Sequence, residues 1–178
     1  MIPMLSAHGA QIPTIGFGTS QLGAKQPGDF TDAVATALKL GYRHIDTAWK
    51  YGSEPAVGIG IKKSGVPRKD IFLTTKVSHE NLRAADFARS VDESLKALRV
   101  DYIDLLLVHW PSLTIPLAET MQALAKAKRV AERHKESVRA YYQAGGRIAY
   151  VQGYGQVASL CYQRTGIIQC HICSIAFG

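Results

Sequence analysis

The hydrophobic pattern switches between two periods along the first two thirds of the chain. Short, nearly unbroken apolar runs occur at Arg43 to Asp46 (RHID), Ile71 to Val77 (IFLTTKV) and Tyr102 to His109 (YIDLLLVH). They are too short for helices and predict strands buried on both faces. Between them apolar residues recur at helical spacing: Phe30, Val34 and Leu38, then Val57 and Ile61 behind the candidate cap Ser53, then Phe87, Val91, Leu95 and Leu98. Strand alternating with amphipathic helix predicts a parallel sheet covered by helices, with right-handed crossovers. IPTIGFGTS predicts one more strand ahead of these. MLSAHGAQIP, with a turn at His8-Gly9, predicts a small hairpin at the start.

Composition narrows the class. A chain of 178 residues with 47% hydrophobic content can bury a core within one domain. No window approaches the roughly 18 apolar residues that a membrane span needs, and the first ten residues lack a secretory pattern. The expectation is a soluble, cytoplasmic protein with no membrane partner. Cys161, Cys170 and Cys173 are odd in number and close together, which fits a reducing compartment better than a disulfide framework. The net charge of +7 divides into +3 over residues 1–128 and +4 over residues 129–178, with no acidic residue after Glu136. No basic run with interleaved aromatics accompanies it, so no nucleic-acid partner is expected.

The strand pattern carries candidate chemistry. Asp46 ends one predicted strand, Lys76 lies near the end of the next, and His109 ends the third, at separations of 30 and 33 residues. Each gap is one βα unit, so all three should share the carboxyl rim of the sheet, where the sites of α/β proteins are built. Tyr51, in the loop beyond Asp46, can reach the same rim. A phenol transfers protons poorly near neutral pH unless a cation stabilises its anion, and Lys76 can be that cation, held by Asp46. His109 can hydrogen-bond an oxygen on which charge develops. Singly, each residue reads as an ion pair, a core histidine or packing; together they read as a site that delivers a proton to a carbonyl oxygen.

GFGTS, GYRHIDTAWKYGSE, TTKV and SLKALRVDYIDLLLVHWP resemble the aldo-keto reductases, and among them the bacterial 2,5-diketo-D-gluconate reductase-like members, over residues 1–134. The resemblance implies a (β/α)8 TIM barrel that reduces aldehydes and ketones with NADPH. It implies a catalytic tetrad of Asp46, Tyr51, Lys76 and His109, with Tyr51 as general acid. It also implies that the backbone at Gly18 and Thr19 approaches the nicotinamide, with Asp46 and His109 beside it. Trp49 and Trp110 are candidate walls for a small carbonyl substrate. Ser53 stands where the family usually has Asn, and its expected part is to cap the next helix.

Length departs from that family. A complete barrel takes roughly 250 residues, so the expected fold is the N-terminal half of a TIM barrel with an N-terminal β-hairpin, residues 1–134, and a divergent tail, residues 135–178. Two readings of the tail stay open. Leu117, Met121, Leu124, Ala131, His134, Val138 and Tyr141 keep one helical face up to Gly145-Gly146. A shift of reading frame near His134 instead recovers the Gly-Val-Ser of a fifth barrel strand. Cys170-His171-Ile172-Cys173 lacks the second pair that a zinc site needs, so no metal is expected and a short strand is the assignment there. The functional expectation is an NADPH-dependent carbonyl reductase, impaired in this form. The alternative is an inactive remnant or interaction protein that self-associates through an exposed barrel edge.

Overall fold

A computed structural model describes residues 2–7, 10–20 and 30–133. The chain starts with an antiparallel hairpin, β1 (Met4–Ala7) and β2 (Ala10–Pro13), in register from Met4 opposite Pro13 to Ala7 opposite Ala10. The His8-Gly9 turn between them lies outside the described residues. The expected first strand, IPTIGFGTS, is divided. Ile12 and Pro13 finish β2, the chain bends at Thr14 and Ile15, and only β3 (Phe17–Gly18) joins the main sheet. The hairpin claims the first part, since Thr14 donates its backbone N–H to Pro3 O at 3.0 Å.

Four parallel strands follow in chain order, β3, β4 (His44–Asp46), β5 (Phe72–Val77) and β6 (Leu105–Val108). Helices α1 (Phe30–Lys39), α2 (Glu54–Ser64), α3 (Ala84–Leu98) and α4 (Leu117–Arg133) complete the β/α repeats. Neighbours in sequence are neighbours in the sheet, the order in which a β/α barrel is wound. The third strand is shorter than the run from Tyr102 predicts. Asp104 at its threshold uses its carboxylate to accept from Leu73 N at 2.8 Å and from Arg68 Nη2 at 2.6 Å. Both readings of the tail, a continuation of α4 past residue 133 and a shift of reading frame near His134, fall outside the described residues, as do the three cysteines.

Because side chains alternate along a strand, each strand serves two surfaces. Ile45, Leu73 and Val77, Leu106 and Val108 point to the helices and build two successive cores. Val34, Leu38, Val57, Ile61, Ile71 and Leu98 complete the first; Leu82, Phe87, Ala123 and Leu124 complete the second. The intervening residues His44, Asp46, Thr74 and Lys76 face one another on the opposite side, where His44 Nε2 meets Thr74 Oγ1 at 2.9 Å and Lys76 meets Asp46. The helical shell is tight. A Cβ on Gly58 would come within 2.4 Å of Leu98 O, and one on Gly60 within 2.7 Å of Thr31 O, so α2 packs closely on α3 and α1 through bare backbone.

Candidate active site

Polar side chains converge where the parallel strands end. Asp46 terminates β4 and Lys76 is the penultimate residue of β5. Lys76 Nζ donates to Asp46 Oδ1 at 2.5 Å and to Thr47 O at 3.0 Å. The ammonium is almost wholly buried, whereas the Asp46 side chain keeps 26% of its surface open to the mouth. A buried ammonium bonded both to a carboxylate and to a backbone carbonyl is fixed in direction.

Tyr51 arrives from the loop between β4 and α2. Trp49 to Tyr51 form one 3-10 turn, in which Tyr51 N donates to Ala48 O at 3.0 Å. Gly52 ends it at φ 66°, a left-handed conformation that suits glycine. The turn sets the Tyr51 ring over the rim, with Lys76 Nζ 5.2 Å from its centroid. His109 follows β6 directly, fixed by its N–H to Val77 O at 2.9 Å. Its imidazole meets the Tyr51 ring edge-to-face, centroids 5.3 Å apart. Asp46, Tyr51, Lys76 and His109, expected at one rim from their spacing, are thus brought together there.

His109 is 3% exposed and its Nδ1 is buried without a hydrogen-bond partner. Burial lowers its pKa to about 4, and the Lys76 charge adds to the effect. At neutral pH it is therefore an uncharged imidazole, able to donate or accept a hydrogen bond without adding charge. Trp110 stacks on it at 3.9 Å and 13° between planes and stays 39% exposed, forming a wall of the mouth. Trp49 is half-buried on the turn that carries Tyr51.

Gly18 and Asp46 are paired across β3 and β4. Among the described residues nothing lies within 4 Å of the place a Gly18 Cβ would take, so none of them covers this backbone beside the rim. Thr19 is turned inward instead: fully buried, its N–H donates to Asp46 O at 3.0 Å and its hydroxyl meets Ser53 Oγ at 3.0 Å. Ser53 departs from expectation. It precedes α2 but makes no capping bond with its side chain. The hydroxyl is drawn away to Thr19 and to Thr47, whose Oγ1 lies 3.1 Å from it.

Two features of the mouth were not anticipated from the sequence. His79, in a 3-10 turn after β5, meets Trp110 edge-to-face at 5.8 Å. Lys50, beside Tyr51, pairs with Glu80 and so ties the Tyr51 loop to the His79 turn. A histidine three residues past Lys76 was the available signal for the first. Nothing local announced the second, since its partners are 30 residues apart. Among the described residues no group of three or more His, Cys, Asp or Glu could hold a metal ion, and no helix is long and apolar enough to cross a membrane.

The model of the Aldo/keto reductase family matches residues 14–132. Methylglyoxal reductase DkgB of Escherichia coli O157:H7 is 48% identical over 120 residues, 66% of this chain and 44% of that protein. The chain thus spans less than half the length of that relative. Among solved structures, a putative 2,5-diketo-D-gluconic acid reductase B superposes with a TM-score of 0.73 at 39% identity, covering 94% of this chain and 64% of the other. A Bombyx mori aldo-keto reductase crystallised in complex with NADP superposes with a TM-score of 0.67 at 34% identity, covering 72% of this chain and 47% of the other.

Proposed function

The chain belongs to the aldo/keto reductase family, and from that premise we propose that its rim reduces an aldehyde or ketone to the alcohol with NADPH as hydride source. One observation carries the reading: Asp46, Tyr51, Lys76 and His109 come from three successive β/α units and meet around one opening, linked by the 2.5 Å ion pair and the Tyr51–His109 ring contact.

The residues divide the work. Tyr51 donates a proton to the carbonyl oxygen. Lys76 stabilises the negative charge left on the phenol oxygen, while Asp46 and Thr47 O hold the ammonium in place. Neutral His109 hydrogen-bonds the carbonyl oxygen and orients it. Trp110 and Trp49 supply apolar walls for a small carbonyl compound, and a dicarbonyl of the methylglyoxal kind is a fitting first probe, given the name of the bacterial relative.

The backbone at Gly18, flanked by Asp46, offers a flat ring a surface that no side chain among the described residues obstructs, so these residues fit a nicotinamide. When bound, the reduced nicotinamide supplies the hydride, which no amino-acid side chain can provide. Gly18, the Thr19 backbone, Asp46 and His109 would line its place.

The test compares the parent chain with Tyr51→Phe, following loss of NADPH absorbance with methylglyoxal as substrate. The expected result is a fall in kcat of about 10²- to 10⁴-fold, with NADPH affinity unchanged by fluorescence titration. A parent no faster than buffer, or a Tyr51→Phe variant with parental turnover, overturns the reading.

A further inference from the structure

We propose that Ser53 is a positioning residue for Tyr51 and Lys76, acting as the node of a three-hydroxyl clamp; the proposal rests on the functional reading above. Thr47 and Ser53 are the two stems of the loop that carries Trp49, Lys50 and Tyr51. Their hydroxyls meet at 3.1 Å and close the loop at its base. Ser53 Oγ continues to Thr19 Oγ1 at 3.0 Å, and Thr19 Oγ1 donates to Asp46 O at 3.3 Å.

Hydrogen counting allows an arrangement in which every hydroxyl donates. Each hydroxyl has one proton to donate. If Thr47 donates to Ser53, Ser53 to Thr19 and Thr19 to the Asp46 carbonyl, every hydroxyl donates once and each of the last two accepts once. Ser53 Oγ also lies 3.3 Å from Thr19 O, a second acceptor for the same proton. All three residues are buried, Thr19 and Thr47 completely and Ser53 to within 1%. Losing the middle member therefore strands a donor away from water.

The clamp touches the chemistry at two points. Thr47 supplies both a hydroxyl to Ser53 and the carbonyl oxygen that accepts from Lys76 Nζ at 3.0 Å. A displacement of Thr47 therefore moves the ammonium relative to the phenol. Between the stems the loop is held by buried Ala48 and by the Tyr51–His109 ring contact, while its 3-10 turn is a single turn and the Lys50–Glu80 pair is exposed, so its base needs a fixing of its own. Buried hydroxyls at the stems supply the constraint. Ser53 is thus occupied in binding two loops together rather than in capping α2.

The experiment uses the full chain with Ser53→Ala, Thr47→Val, the double variant and Ser53→Thr. Amide hydrogen exchange of the segment 47–53 is measured by mass spectrometry beside carbonyl-reduction kinetics. Either single substitution should accelerate exchange in that segment about tenfold and lower kcat about tenfold, with NADPH affinity within about twofold of the parent. The double variant should be no worse than the singles, and Ser53→Thr, which keeps the hydroxyl, should return both readouts toward the parent. Unchanged exchange at 47–53 in folded Ser53→Ala and Thr47→Val overturns the proposal. So does exchange that rises equally across the sheet, which marks a packing role alone. If the parent reduces no carbonyl, the functional reading fails by itself, and the exchange measurement still decides the clamp.

Discussion

Two buried ion pairs stand at opposite ends of the same sheet. At the amino end, Arg68 pairs with Asp104 at 2.6 Å, with the Asp104 side chain wholly buried. Three of its hydrogen bonds go to backbone: Arg68 donates to Ile71 O and Tyr102 O, and Asp104 accepts from Leu73 N; the guanidinium also lies 4.0 Å over the Tyr102 ring. At the carboxyl end, Lys76 and Asp46 are similarly close, but the Asp46 side chain is a quarter open, at a rim that also carries Tyr51, the neutral His109 and the part-exposed Trp110. The first pair uses its hydrogen-bonding capacity to join strand ends. The second keeps charge and imidazole facing an opening. Burial of charge alone does not separate a staple from a site; what the remaining valences point at does.

Exchanging the roles is the strongest way to break the contrast. Arg68→Met removes the guanidinium that pairs with the buried Asp104 side chain and should cost about 3–5 kcal/mol of stability in denaturant titration. Lys76→Met should lower carbonyl reduction about 10²- to 10³-fold with a much smaller shift in the denaturation midpoint, because Asp46 can turn to water. A Lys76→Met protein that unfolds as readily as Arg68→Met would erase the distinction.

The helical shell offers a second cut. Gly58→Ala drives a methyl against Leu98 O, a backbone atom that cannot step aside, and should destabilise by about 1–3 kcal/mol. Its residual activity per folded molecule should stay near parental, since α2 meets α3 away from the rim; a kcat loss in the folded fraction would show that shell and rim are coupled.

Acid should affect the two ends through their histidines. Burial holds His109 neutral down to about pH 4 and also lowers the pKa of His44, which faces Thr74 nearer the amino end. The unfolded chain protonates both near pH 6.5 and so takes up more protons there than the folded chain does. Stability should therefore fall as pH drops from about 6.5 toward 4, by about 2–3 kcal/mol from His109, and not change from this cause above pH 7. Buried Glu54, hydrogen-bonded by Thr75 and raised in pKa by desolvation, works in the opposite sense: its contribution is present at low pH and lost as pH rises. Thermal denaturation of His109→Asn and His44→Asn across this range would apportion the acid limb, and a flat parental profile would refute it.

The smallest effect belongs to the exposed pair across the mouth. Glu80→Gln removes the partner of Lys50 and should leave Tm unchanged within error, because exposed pairs are screened and entropically costly. A marked Tm drop would place the clasp among the staples.

Much of this contrast was written in the chain order. The RHID, IFLTTKV and LLLVH runs mark strands, along which side chains alternate with a two-residue period. That period sends Ile45, Leu73 and Leu106 to the helices and leaves Asp46, Lys76 and His109 on the other surface; the repeat of about 30 residues brings those three to one rim. Such periods are local properties of consecutive residues, so a sequence displays them directly. Tertiary structure decided the rest. Ser53 carries the signature of a cap, yet its hydroxyl has better partners in Thr19, 34 residues earlier, and Thr47, which exist only after β3 and β4 pair. The same holds for the stacking of Trp110 on His109, the pKa of that histidine, the bare contact at Gly58 and the linkage of Arg68 to Asp104. Each depends on distances between segments and on how much water the whole surroundings remove, quantities that arise only when the sheet and its helices have closed around them.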